Sequence, residues 1–162
     1  MATRPTSARV REALFSILGD LGGARVLDLY AGSGALGIEA LSRGAEGAVF
    51  VEHDRAALAC IRENLTELDA MAQAHVIASS ATRVVGALDA LGFDLVLCDP
   101  PWAELESAVG LLAELASSGR LRAAARVVLE HSARDAEPDV SGLVAYDRRR
   151  WGDTAASLFR AT

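Results

Sequence analysis

Apolar residues recur along this chain with two alternating periods, and the alternation predicts the architecture. Val10, Ala13, Leu14, Ile17 and Leu18 follow the i, i+3, i+4, i+7 spacing of an amphipathic helix. Thr6 or Ser7 can cap that helix, and Gly19 with Gly22-Gly23 can stop it. Arg25-Val26-Leu27-Asp28-Leu29 then reads as a buried strand, followed by a glycine loop and a helix over Ala35 to Arg43. Strand Ala48 to Val51, helix Arg55 to Leu68, strand His75 to Ala78, helix Thr82 to Leu91 and strand Phe93 to Cys98 come next. Strictly alternating elements whose strands are continuously apolar imply an α/β protein with a mostly parallel sheet covered on both faces. A helix near Glu104 to Ala116 and a strand at Arg126 to Glu130 continue the series. Leu143 to Arg149 and Ala155 to Arg160, joined through Trp151-Gly152-Asp153, close it as an antiparallel hairpin.

Composition narrows this picture without changing it. The 162 residues suit one domain spanning 1–162 with a single good core. Hydrophobic residues make up 51% and charged residues 23%, which places the chain among folded proteins. No apolar run approaches the roughly 18 residues of a membrane span, and Met1 to Arg11 has no signal-peptide core, so the expected location is the cytoplasm, without a membrane partner. Cys60 and Cys98 form no metal or disulfide framework and are expected to be buried. His53, His75 and His131 are scattered without ligand spacing, so no metal is expected.

Charge bears on partners. A net charge of −6 argues against a protein that coats nucleic acid, so any such contact must be local. All 16 basic residues are arginine. Arg4, Arg9 and Arg11 cluster at the start and Arg148, Arg149 and Arg150 near the end, and these six are the candidate phosphate contacts, against the commoner reading of a solvated charge run.

Two loops at strand ends carry the chemistry. Asp99-Pro100-Pro101-Trp102 follows the strand Phe93 to Cys98. Each proline fixes φ, lacks an N–H and pushes its predecessor to extended geometry, so the strand cannot run on into a helix there. The result is a stiff shelf offering a carboxylate, a carbonyl and a flat aromatic face, suited to a planar heterocycle with an exocyclic amine; an ordinary turn with a solvated Asp is the plainer alternative. Gly32-Ser33-Gly34-Ala35-Leu36-Gly37 satisfies G-x-G-x-x-G, and Glu52 stands 20 residues after Gly32 at the end of the next strand. Read literally this is a dinucleotide pattern, and a nicotinamide-dependent oxidoreductase is one reading. Asp28, just ahead of the loop, would repel a pyrophosphate. It suits instead the cationic S-adenosylmethionine, whose ribose diol Glu52 can accept.

Taken in order, Arg4-Pro5-Thr6, Val10-Arg11-Glu12-Ala13-Leu14-Phe15, Val26 to Gly34, Val51-Glu52, Asp99 to Trp102 and Gly152-Asp153-Thr154 resemble the RsmD family of bacterial 16S ribosomal RNA guanine-N2 methyltransferases. The resemblance spans nearly the whole chain. It implies a Rossmann-like class I methyltransferase fold, a seven-stranded sheet ending in a reversed hairpin, with S-adenosylmethionine as cofactor. It implies action on 16S rRNA or on the assembling small ribosomal subunit; separately from the resemblance, a monomer is expected. By the same resemblance Asp28, Tyr30, Ala31, Gly32, Gly34, Glu52, His53, Ser80 and Ala81 border the cofactor, and Asp99, Pro100, Pro101 and Trp102 form the catalytic shelf. The chain departs from the family in carrying Trp102 where tyrosine is usual, and Ser80 where an acid or Asn follows the third strand. The basic segment that precedes Arg-Pro-Thr in family members is expected to be absent. Alternatives within the same fold are an amino-methyltransferase acting on DNA adenine or on a protein glutamine amide, and a cofactor-binding remnant that no longer methylates.

Overall fold

In the computed structural model, which describes residues 7–162, the elements follow the order expected from the periodicity. They are α1 (Ala8–Leu18), β1 (Arg25–Leu29), α2 (Ala35–Ser42), β2 (Gly47–Glu52), α3 (Arg55–Glu67), β3 (Ala74–Ala78), β4 (Phe93–Cys98), α4 (Leu105–Ser117), β5 (Leu121–Ser132), β6 (Leu143–Trp151) and β7 (Thr154–Ala161). The strands form one seven-stranded sheet in the order β3-β2-β1-β4-β5-β7-β6. All pairs among β1 to β5 are parallel, and β7 runs antiparallel to both β5 and β6.

Each strand divides its side chains between two cores, as the two-residue period requires. Val26, Phe50, Leu97 and Leu158 face α1, α2 and α3, meeting Leu14, Phe15, Leu36, Ala40, Ile61 and Leu65. Leu27, Leu29, Val96, Leu129 and Phe159 face the other way, toward Ala108, Leu111, Leu112 and Leu115 of α4. Ser7 caps α1 by accepting the Val10 N–H, and Gly19 ends it with φ at 72°, a conformation that glycine adopts without a Cβ clash. The β6–β7 hairpin turns on Gly152 (φ 61°), at the first central position of a two-residue loop.

Three expectations need correction. The helix expected over Thr82 to Leu91 is absent. Two short 3-10 turns, Ala81–Arg83 and Val85–Ala87, stand in its place. Val84, Val85 and Leu88 are buried at a spacing that imitates a helix stripe, but adjacent β-branched residues and Gly86 lower helix propensity, and tight turns bury the same three side chains. β5 begins at Leu121, earlier than Arg126, because an irregular stretch containing Ala124 (φ 60°) leads into the regular ladder. Cys98 is buried as expected, whereas Cys60 is exposed, since the inward stripe of α3 is Leu58, Ile61 and Leu65.

Candidate active site

The strand order reverses between β1 and β4, and in open α/β sheets ligands bind beyond the carboxyl ends of strands at such a switch point. The register brings the two chemical loops together there. Leu29 at the end of β1 pairs with Val51 on one side and Cys98 on the other. Tyr30 therefore emerges between Glu52 and Asp99.

The glycine loop is held open by backbone geometry and by one carboxylate. Tyr30 (φ 57°), Gly32 (φ 58°) and Gly34 (φ 83°) all adopt left-handed conformations. A Cβ on Gly32 would meet nothing within 4 Å, so its backbone faces open space into which a ligand can approach closely. Glu52 braces the loop: Oε1 accepts the Gly32 N–H at 2.8 Å, while Oε2 accepts the N–H groups of His53 at 3.1 Å and Asp54 at 2.9 Å. Asn64 of α3 donates to the Ser33 carbonyl at 3.1 Å, a brace that no motif announced.

Asp28 is 1% exposed, and its Oδ2 accepts the Gly37 N–H at 2.9 Å. Gly37 lies in the first turn of α2, where N–H groups lack helical partners, and the helix N-cap, Gly34, has no side chain to offer. Asp28 thus ties β1 to α2 behind the loop. Burial pushes its carboxyl well above the usual range; the Gly37 bond opposes this, and Asp99 and Glu52 add repulsion.

A small cavity beside the loop is lined by Tyr30, Glu52, His53, Ala81 and Pro101, joined by Ser79 and Glu104, which the sequence reading missed. Ser80 is displaced from this lining by one position, and Ser79 takes its place. Within the cleft region the Tyr30 hydroxyl is buried without a hydrogen-bond partner, and burial, with Cys98 and Glu104 nearby, raises the phenol. An open approach over Gly32, the Glu52 carboxylate with acceptor capacity beyond its three backbone N–H bonds and an orphaned donor at Tyr30 fit a nucleoside cofactor carrying a diol.

A larger cavity of about 500 Å³ opens on the other side of the shelf. Asp99 and Trp102 line it with Arg9, Arg150 and Trp151. Glu130, 2% exposed and two residues before the end of β5, also lines it. Arg9 and Arg150 are thus gathered beside the shelf, whereas Arg11, Arg148 and Arg149 are engaged elsewhere. Arg11 pairs with Glu39 at 3.5 Å, Arg148 binds Glu137 and the carbonyls of Ala133 and Asp135, and Arg149 pairs with Asp147. Strand alternation turns Arg149 to the face opposite Arg148 and Arg150, and Arg148 is held by Glu137 and the two carbonyls, so the three consecutive arginines do not act as one patch. Arg4 lies outside the described residues. Trp151 and Glu130 went unnoticed in the sequence because one reads as hairpin and the other as the end of a strand.

His131 is fully buried, with its ring nitrogens 2.9 Å from the Ser132 carbonyl and 2.8 Å from Ser157 Oγ, a structural pair inside the core. Among the described residues, no group of three or more His, Cys, Asp or Glu side chains could hold a metal, and no helix is long and apolar enough to cross a membrane.

The reversed last hairpin of the seven-stranded sheet, with the glycine loop after β1 and the Asp-Pro-Pro-aromatic shelf after β4, is the architecture of the class I methyltransferases. Comparison with known proteins agrees. The model of the family described as Conserved hypothetical protein 95 matches residues 1–160. The ribosomal RNA small subunit methyltransferase D of Escherichia coli is 39% identical over 140 residues, covering 85% of this chain and 68% of the relative. The chain belongs to this family, the RsmD family. Among solved structures, a conserved hypothetical protein of Streptococcus pyogenes superimposes with a TM-score of 0.88 at 35% identity, covering 94% of this chain and 96% of the other. The magnesium protoporphyrin IX methyltransferase of Synechocystis, solved with bound S-adenosylmethionine, shares the fold at 17% identity and a TM-score of 0.70, with 95% and 79% covered.

Proposed function

We propose that this protein methylates the exocyclic N2 amine of a guanine in 16S small-subunit ribosomal RNA, using S-adenosylmethionine. The observation that carries the reading is the adjacency of the braced cofactor loop and the Asp99 shelf at one switch point, in a chain whose relatives include a ribosomal RNA small subunit methyltransferase. The cofactor, when bound, supplies a methyl group on a sulfonium, an electrophile that needs no metal. Gly32 and Gly34 would border its methionine end, with Asp28 anchoring α2 from behind the loop, and Glu52 would accept from the ribose hydroxyls.

A guanine amine is a weak nucleophile because its lone pair is delocalised into the ring. The Asp99 carboxylate and the Pro100 carbonyl accept its two N–H bonds, which draws the nitrogen toward tetrahedral geometry and aims the lone pair along the methyl-transfer line. Positive charge that develops on the nitrogen is stabilised by Asp99. The proton then passes to Asp99 or to water. Trp102 stacks on the base, which must leave its helix or occupy a loop, and such stacking is worth about 1–3 kcal/mol. Arg9 and Arg150 contact phosphates flanking the target.

The test is transfer of labelled methyl groups to unmethylated small ribosomal subunits, followed by nucleoside analysis of the RNA. N2-methylguanosine at one site is the expected product. Label in N6-methyladenosine or in protein would move the activity to another amine acceptor. Cofactor binding without transfer to any RNA would identify a non-catalytic remnant.

A further inference from the structure

We infer that Glu130 is the residue that makes the site specific for guanine, by accepting the ring N1–H of the target base while its amine rests on Asp99 and Pro100. The inference builds on the guanine-N2 reading above. Cys98 pairs with Leu129 at the last rung of the β4–β5 ladder, so the residues that follow are neighbours there, Asp99 just past the end of β4 and Glu130 inside β5 two residues before its end. Neighbouring strands lie about 4.8 Å apart, a separation that lets two carboxylates address two adjacent positions on one base edge. On guanine those positions are the exocyclic N2 and the ring N1–H, both donors.

Three observations place Glu130 in base recognition. It is 2% exposed, yet it lines the cavity of about 500 Å³ that also holds Asp99 and Trp102. That volume is within the range of small-ligand pockets, and two tryptophans, Trp102 from the shelf and Trp151 from the hairpin tip, contribute flat walls to it. A buried carboxylate is costly in an apolar setting and is the wrong residue for a strand position that only has to pack. A carboxylate can accept up to about four hydrogen bonds, so contacts with the protein and with a base are compatible.

Discrimination follows from donor and acceptor pattern. A base whose N1 carries no hydrogen turns a lone pair toward Glu130, so the bond is lost and replaced by repulsion. Adenine is such a base, and so is 2,6-diaminopurine, which keeps the reactive 2-amine. Losing a hydrogen bond to a charged group lowers the rate by about 10–10²-fold. Glu130→Gln should cancel the preference, because a glutamine amide accepts from N1–H through its oxygen or donates to a bare N1 through its nitrogen.

The experiment compares wild type and Glu130→Gln on small subunits reconstituted from methyl-free RNA. The nucleotide that the wild type methylates is either guanine or 2,6-diaminopurine, and the readout is the ratio of kcat/KM for the two substrates. The ratio does not depend on the fraction of protein folded, so a destabilised variant still answers. The expected result is a wild-type ratio of about 10–10² in favour of guanine that falls toward unity in the variant. An unchanged ratio in Glu130→Gln, or a wild type without preference, would overturn the role of Glu130 while leaving guanine methylation intact. A wild type that methylates something other than a guanine amine would overturn the underlying reading and this inference with it.

Discussion

Gly37→Ala probes the joint that holds the cofactor loop in place. Gly37 lies inside α2, where alanine is ordinarily better than glycine by about 1 kcal/mol. Here the space is taken. A Cβ at this position would overlap Phe50 Cε2, lie 2.9 Å from Phe50 Cζ and 3.0 Å from Asp28 Oδ2. Phe50 is fully buried on β2 and cannot swing into solvent. Overpacking of this kind costs about 1–3 kcal/mol. Displacing the Asp28 acceptor from the Gly37 N–H adds a further cost of about 1–3 kcal/mol. After the gain in helix propensity the net destabilisation is about 1–5 kcal/mol, which lowers Tm by about 2–20 °C for a domain of this size. The control is Gly110→Ala in α4, where a Cβ meets nothing within 4 Å and a small stabilisation is expected. Urea denaturation and calorimetric melting of both variants decide the matter, with Phe50→Leu expected to restore part of the loss in the double mutant. A Gly37→Ala protein that melts with the wild type would refute the close-packing argument and leave the third glycine of the motif without a physical role.

Other consequences can be measured directly. Asp99→Ala should lower kcat by about 10²–10³-fold in single-turnover methylation while the calorimetric Kd for S-adenosylmethionine changes little; full activity would remove Asp99 from the mechanism. Because burial raises the Asp28 carboxyl, the folded state holds that proton more tightly than the unfolded chain, so its contribution to stability is complete below about pH 4 and declines as pH rises through the folded value. Asp28→Asn should therefore gain stability relative to wild type as pH increases from 4, and a pH-independent difference in Tm would contradict the assignment. Arg9→Ala should weaken RNA binding and reduce the salt dependence by about one counterion, whereas Arg148→Ala, which strips Glu137 and two carbonyls of their partner, should lower Tm and leave the salt slope unchanged.

Much of this protein could be read before any coordinates. Alternation of apolar strands with amphipathic helices determined the layered α/β class, because each periodicity admits one way of burying its apolar face. The prolines of Asp99-Pro100-Pro101 and the glycines of the loop determined where chain direction changes, since their backbone restrictions are local. Tertiary structure decided what those local signals could not. Whether Val84, Val85 and Leu88 were buried by a helix or by tight turns depended on the sheet they pack against. Asp28 was legible as an important acid, but only the packing of α2 on β1 turned its carboxylate toward Gly37. The run Arg148-Arg149-Arg150 looked like one basic patch, but alternation turns Arg149 away and Glu137 engages Arg148, which leaves Arg150 at the cavity beside Arg9. Glu130 and Trp151, more than 25 residues from the shelf in sequence, reached it through the pairing of β4 with β5, of β5 with β7 and of β7 with β6. Such neighbours are set by sheet register, a long-range property that no window of sequence contains.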